Sequence, residues 1–164
     1  MYMAGLVRWV VLFLVSSFFG WLLESAYRSI YEHRFIDSGL LSGPFIPIYG
    51  VGVLIIETID LLIPDRLIWI EITACIIFCT MLEFLVHAYY EKVFDLKLWD
   101  YSSLFLNIQG RVCLLYSLYW GLLGYAYLHF LQQYIWLIVD LILANKIGWV
   151  LASSFSIYFV FGCI

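Results

Sequence analysis

The sequence predicts an all-α helical bundle packed within a bilayer, a polytopic membrane protein that forms a single integral membrane domain over residues 1–164. Three observations predict it. The chain is 65% hydrophobic and 12% charged, with a mean hydropathy of +1.00, whereas soluble domains run at roughly 45–50% apolar and about 25% charged. A soluble chain of 164 residues has no interior large enough for that much apolar surface, so its solvent is expected to be lipid. Aromatic residues make up 20% of the chain, which suits the interfacial belts where Trp and Tyr settle. The apolar residues also gather in runs close to the length of a bilayer crossing, about 20 residues.

In chain order, the first helix is expected from about Gly5 to Tyr31, with no charge between Trp9 and Leu23. No small-residue cleavage site follows it, so it is expected to be a retained helix and not a signal peptide. A short polar connection, Glu32 to Ser42, leads to Gly43-Pro44-Phe45-Ile46-Pro47-Ile48-Tyr49-Gly50, which opens a second helix reaching about Ile63. Pro47 is tolerated at a helix start, where its missing N–H is not needed. Pro64-Asp65-Arg66 forms a turn, and the third helix runs from about Leu67 to Glu91. Lys92 to Gln109 is a long polar connection, and the fourth helix covers about Arg111 to Leu131, with Gln132-Gln133 marking its end. Tyr134 to Ala144 is apolar but too short to span alone, so a re-entrant or interfacial segment is expected at 134–144. Ile147 to Ile164 supplies a last crossing, for about five transmembrane helices in all.

The eight Lys and Arg bear on orientation. Arg28, Arg34, Lys92, Lys97 and Arg111 fall on one expected side, and Arg8, Arg66 and Lys146 on the other. Because Lys and Arg favour the cytoplasmic face, the N-terminus is expected outside and the two motif-bearing loops inside. Cys75, Cys79, Cys113 and Cys163 sit in apolar surroundings without redox or zinc spacing, so packing thiols are expected. No basic stripe suggests nucleic-acid binding.

Charged residues inside apolar runs are the next signal, because each costs about 2.5–3.5 kcal/mol at a helix centre. Glu83 is the deepest, following an uncharged stretch from Ile72 to Leu82. It should face the bundle, because turning to lipid would forfeit every partner. Glu83, His87 and Glu91 recur every four residues and share a helix face. That spacing covers about 12 Å, too far for one metal ion to touch all three, and no metal or other cofactor is expected. Glu24 and Arg28 are also four apart and can pair. Glu57 and Asp60, near a helix end, are expected to be solvated.

Two segments are more specific: the Gly43–Gly50 stretch, and Trp99-Asp100-Tyr101-Ser102 followed by Asn107-Ile108-Gln109-Gly110-Arg111-Val112-Cys113-Leu114. With Gly20-Trp21-Leu22-Leu23-Glu24 upstream and Leu82-Glu83 on the third helix, this order resembles the ABC-transporter type IV, or CmpB-like permease, family. Vertebrate transmembrane protein 229 is similar. The resemblance covers about Phe18 to Gly124. Asp37-Ser38-Gly39 departs from it, standing where the family more often shows Asn-Arg-Gly.

The resemblance implies a permease-like or transport-associated membrane subunit. No P-loop is present, so coupling to ATP would need a separate ATPase subunit, and the small size implies a homo- or hetero-oligomer. A polar cluster, for ligand binding or for holding the fold, is expected from Glu24, Arg28, Tyr49, Glu83, Trp99, Asp100, Tyr101, Asn107 and Arg111. Within it, Arg111 should pair with Glu24, Glu83 or Asp100. No catalytic role is assigned. The alternatives are a membrane-embedded enzyme acting on a lipid or lipid-linked substrate, with Arg111 holding a phosphate or carboxylate, and a non-catalytic membrane scaffold.

Overall fold

A computed structural model describes residues 2–39, 43–63, 67–145, 149, 150 and 154. Its helices are α1 (Tyr2–Glu32), α2 (Pro47–Leu62), α3 (Ile68–Phe94), α4 (Leu114–Ala126), a π turn (Tyr127–Leu131) and α5 (Gln132–Ala144). Among the described residues the only β-pairing is the isolated bridge between Ile108 and Val112, so the all-α expectation holds. Among the described residues three stretches are long and apolar enough to cross a membrane: Gly5–Glu32, Ile68–Phe94 and the unbroken run Leu114–Ala144.

Of the five expected spans, the described residues give three. α2 has 16 residues, or about 24 Å at 1.5 Å per residue, short of a hydrocarbon core about 30 Å thick. The expected crossing from Ile147 to Ile164 lies almost wholly outside the described residues. The segment 134–144 is corrected outright. It is no separate re-entrant piece but the continuation of α4 through the π turn into α5. Gln132-Gln133 reads as a stop because it is polar, yet glutamine is a good helix former and the backbone runs through it.

The chain divides into two compact units, residues 1–54 with 132–164, and residues 55–131. In the first, Val11, Leu12 and Val15 of α1 form a buried core with Val139 of α5, joined by Val53, Leu54 and Trp136. The Trp9 and Trp136 rings meet edge to face at 6.3 Å, and Arg8 pairs with Asp140 at 2.9 Å. α2 crosses α1 closely: a Cβ on Gly20 would fall on the Tyr49 ring, and one on Gly50 would meet Phe13 and Ser17.

In the second unit α3 packs along α4, and the contact is made by missing side chains. A Cβ on Gly121 would lie 2.6 Å from Ile76 Cγ1, and one on Gly124 would lie 2.7 Å from Cys75 Sγ. Lipid offers helices no hydrophobic drive to associate, so such small residues gain attraction by letting backbones approach. Cys75, Cys79 and Cys113 are buried free thiols, as expected; Cys163 lies outside the described residues. Large apolar residues such as Phe78, Leu85, Leu118 and Leu122 remain exposed, as they should where lipid is the solvent.

Candidate functional site

The polar groups of the second unit are organised by the connection between α3 and α4. α3 ends on Asp95 in the left-handed conformation (φ 52°). The chain then folds on its own backbone: Tyr101 N–H donates to Gly110 O at 2.8 Å, Ile108 N–H to Val112 O at 2.9 Å and Arg111 N–H to Ile108 O at 3.0 Å. Asn107 ties the loop from inside. Its Nδ2 donates to Ser102 O and Leu104 O, and its Oδ1 accepts the Gly110 N–H. Gly110 sits at φ 69°, and a Cβ there would press to 3.0 Å from Asp100 Oδ1, so the turn favours glycine twice over.

This folded loop closes on α3. Glu83, 5% exposed, accepts the Tyr101 hydroxyl at 3.1 Å and the Trp120 indole N–H at 3.2 Å. It is a buried carboxylate held by one donor from the loop and one from α4. The Trp99 ring lies 5.2 Å from the buried His87 ring, and its N–H donates to Arg111 O at 2.7 Å. Tyr101 stacks between Trp99 and Tyr116, at 6.2 and 4.5 Å. Aromatic pairs of this kind add about 0.5–1.5 kcal/mol beyond their burial.

Arg111 finds a different partner from those the sequence suggested. Its Nε and Nη2 both reach Glu91 Oε2, at 3.0 and 2.9 Å. Nη1 donates to Gln109 Oε1, and the guanidinium lies 5.1 Å from the centre of the Phe84 ring. The correction has a simple cause. Arg111 opens the approach to α4, level with the last turns of α3, where Glu91 projects; Glu83 lies two turns deeper. Glu91 and Gln109 together take one N–H from each of the guanidinium's three nitrogens.

Asp100 is exposed and turns back on its own loop, accepting the Ser102 N–H at 2.9 Å. That bond, with the Ser102 hydroxyl and then Lys97, holds its carboxyl below the usual range.

The remaining expected site residues lie in the first unit. Glu24 accepts the Tyr49 hydroxyl at 2.8 Å, so its partner is not Arg28. Arg28 is exposed and makes no ion pair among the described residues. Beside them, Asp37 accepts the Trp21 indole N–H at 2.7 Å and the Gly39 N–H at 3.0 Å. These two donors, Trp21 first, hold its carboxyl below the usual range. The motif position Asp37 is therefore a fastening of the α1–α2 connection. Ser25 and Ser29 reinforce it by accepting the N–H groups of Ser38 and Ile36.

Sequence reasoning missed a second set of polar groups. Glu57, expected to be solvated, is 4% exposed and accepts the Tyr127 hydroxyl. Glu71, 2% exposed, faces His129 Nε2 at 3.8 Å. Tyr127 and His129 both belong to the π turn, a wide helical turn that recurs at functional sites. Nearness to a helix end does not bring exposure at Glu57. The signal that could have found these groups is the Tyr125-x-Tyr127-x-His129 run, polar-tipped rings inside an apolar stretch.

The family model for Putative ABC-transporter type IV matches residues 11–164. The match extends past the Phe18–Gly124 region of resemblance and takes in the α4–α5 run and the C-terminal segment. Among curated proteins and solved structures, none matches the chain. The chain belongs to the Putative ABC-transporter type IV family.

Proposed function

We propose that this member of the Putative ABC-transporter type IV family is a permease-like membrane subunit. It works in the cell membrane as part of a homo- or hetero-oligomer, with a separate ATPase subunit supplying the energy. The observation that carries this reading is Glu83, a buried carboxylate in an apolar span, held by donors from two other elements. Intramembrane ionisable groups are costly unless they serve a site or pathway. Two fixed donors keep the Glu83 oxygens aimed inward, and the Tyr101–Tyr116–Trp120 aromatic groups surround them with polarisable surface. Such a site favours a substrate that is cationic or rich in hydrogen-bond donors.

The folded α3–α4 loop is on the cytoplasmic side in this reading, where the ATPase subunit acts. Its rigidity suits transmission of force, because a loop tied by Asn107 and stacked on α3 and α4 moves with them.

Affinity purification of the full chain from cross-linked native membranes tests the proposal. The expected result is an ATP-hydrolysing subunit recovered in fixed proportion to the chain. Recovery of the chain with no ATP-hydrolysing partner overturns it.

A further inference from the structure

The connection between α3 and α4 does not stand beyond the end of α3; it runs back along the flank of the helix. α3 ends at Phe94, and Glu83 lies eleven residues before it, about 16 Å at 1.5 Å per residue. The Tyr101 hydroxyl nevertheless reaches Glu83, and a tyrosine side chain is far shorter than that. The Trp99 ring rests beside His87, and Arg111 beside Glu91. The 27 residues of α3 measure about 40 Å, close to the thickness of a bilayer with its headgroups. The loop therefore lies at the depth of the headgroup–acyl boundary.

Its surface has the composition of that depth. Phe105, Leu106 and Ile108 are 76%, 62% and 57% exposed, three large apolar side chains that the described residues leave uncovered. Leu106 holds φ 50°, in the left-handed region that an aliphatic residue enters at a cost. Such conformations persist where the neighbouring structure fixes them. Here Asn107 does so, through its bonds to Ser102 O, Leu104 O and the Gly110 N–H. The backbone is prepared for lipid as well. Leu104 N–H donates to Tyr101 O, Ile108 N–H to Val112 O and Arg111 N–H to Ile108 O, so these groups need no water. Backbone that meets lipid has to be satisfied within the protein in this way.

We propose that the tip of this loop, Leu104 to Ile108, is a wedge seated in the headgroup–acyl boundary of the leaflet in which α3 ends, with Phe105, Leu106 and Ile108 against lipid. The occupant follows from continuity. Leu114, Leu115 and Leu118 follow the loop and are exposed in the same way, as are Val93 and Phe94 before it. The wedge thus extends the lipid-facing surface of the two spans it joins. Asp95, Lys97 and Asp100, exposed charges of the same connection, stay in water in this placement. The inference is independent of the ATPase reading, because a water-soluble partner does not reach a surface held in lipid. Tyr101 belongs to the same tied loop and donates to Glu83, so lipid packing around the tip bears on how Glu83 is held.

The test is spin labelling of the full chain in bilayers of phosphatidylethanolamine and phosphatidylglycerol. Phe105→Cys and Ile108→Cys are labelled separately with a nitroxide, and the signal of the unsubstituted chain, which reports any label on its own thiols, is subtracted. Relaxation by oxygen, which concentrates among acyl chains, is compared with relaxation by a neutral nickel chelate, which stays in water. Leu118→Cys, on a span, supplies the lipid reference, and Lys97→Cys the water reference. At both loop positions oxygen is expected to act more strongly than nickel, with a ratio nearer that of Leu118→Cys. A ratio nearer that of Lys97→Cys at either position overturns the proposal. So does a weak response to both probes, which marks a surface covered by protein. Where one loop variant does not fold, the other decides. If neither folds, hydroxyl-radical footprinting of the unsubstituted chain decides: Phe105 stays unoxidised in the bilayer if the wedge is in lipid, and its oxidation there overturns the proposal.

Discussion

The helix α3 carries a carboxylate–imidazole contact near each end, and the two are almost alike in spacing: His87 to Glu91 at 3.9 Å and His129 to Glu71 at 3.8 Å. Their surroundings make them different. Glu91 is already matched by the Arg111 guanidinium, itself fixed by Gln109 and Phe84. Glu71 faces only an imidazole, and one of its oxygens has no hydrogen bond. The first end is a closed network that fastens a loop to helices. The second leaves a buried carboxylate oxygen without a donor. A distance alone therefore says little about an intramembrane ion pair; the supply of fixed donors decides how firmly the carboxylate is held.

Glu83, two turns from Glu91 on the same helix, tests what fixed donors contribute. Replacing Glu83 by Leu removes the oxygens to which Tyr101 and Trp120 donate. Stability should fall by about 2–4 kcal/mol, given 1–3 kcal/mol for each buried group deprived of its bond. The fall is read as a lower Tm in detergent, and Glu83→Gln, which keeps one acceptor oxygen, should lose less than half as much. A Glu83→Leu protein as stable as wild type would mean that the cluster fastens nothing.

Removing the guanidinium makes the first end resemble the second. Arg111→Met keeps much of the stem over Phe84 and leaves Glu91 without its cation. Both side chains are partly exposed, at 23% and 31%, so the loss should be about 1–3 kcal/mol, below the 3–5 of a fully buried pair. A Tm within a degree or so of wild type would show that water already screens the pair.

The smallest effect should come from Asp100→Asn, and only its pH dependence is informative. The folded state lowers the Asp100 pKa, so its contribution is present above the ordinary carboxylate value, near 4, and disappears as pH falls through the lowered one. Melting curves of the two proteins should differ slightly at neutral pH and converge as the pH falls below the ordinary carboxylate value. A gap that stays constant across that range would mean that the Ser102 bond does not distinguish the charged carboxyl.

The helices were largely legible because apolar runs declare their own ends. α1 was expected over Gly5–Tyr31 and spans Tyr2–Glu32, and α3 was expected over Leu67–Glu91 and spans Ile68–Phe94. Burial of Glu83 was legible too, since eleven preceding uncharged positions, Ile72 to Leu82, leave it no water on its own helix. Partners were not legible. The Arg111–Glu91 pair joins residues on two elements whose relative register is set by glycine packing at Gly121 and Gly124, and no local spacing encodes it. Gln132-Gln133 continues the helix because the helix propensity of glutamine outweighs its polarity there. Glu57 and Glu71 were missed because the groups that cover them, Tyr127 and His129, come from a turn whose width is invisible in the sequence.

One consequence concerns how the molecule is made. The partners that other elements bring to the α3 carboxylates lie later in the chain: Tyr101 and Trp120 for Glu83, Arg111 for Glu91, His129 for Glu71. When α3 leaves the ribosome, these groups are still in the exit tunnel or not yet made. An isolated α3 would enter lipid at about 2.5–3.5 kcal/mol for each central charge. The order of synthesis therefore favours insertion of α3 and α4 together as a hairpin, with α3 waiting at the protein-conducting channel until Trp120 and His129 have been synthesised. A chain truncated after the loop should leave α3 poorly inserted, however apolar its sequence.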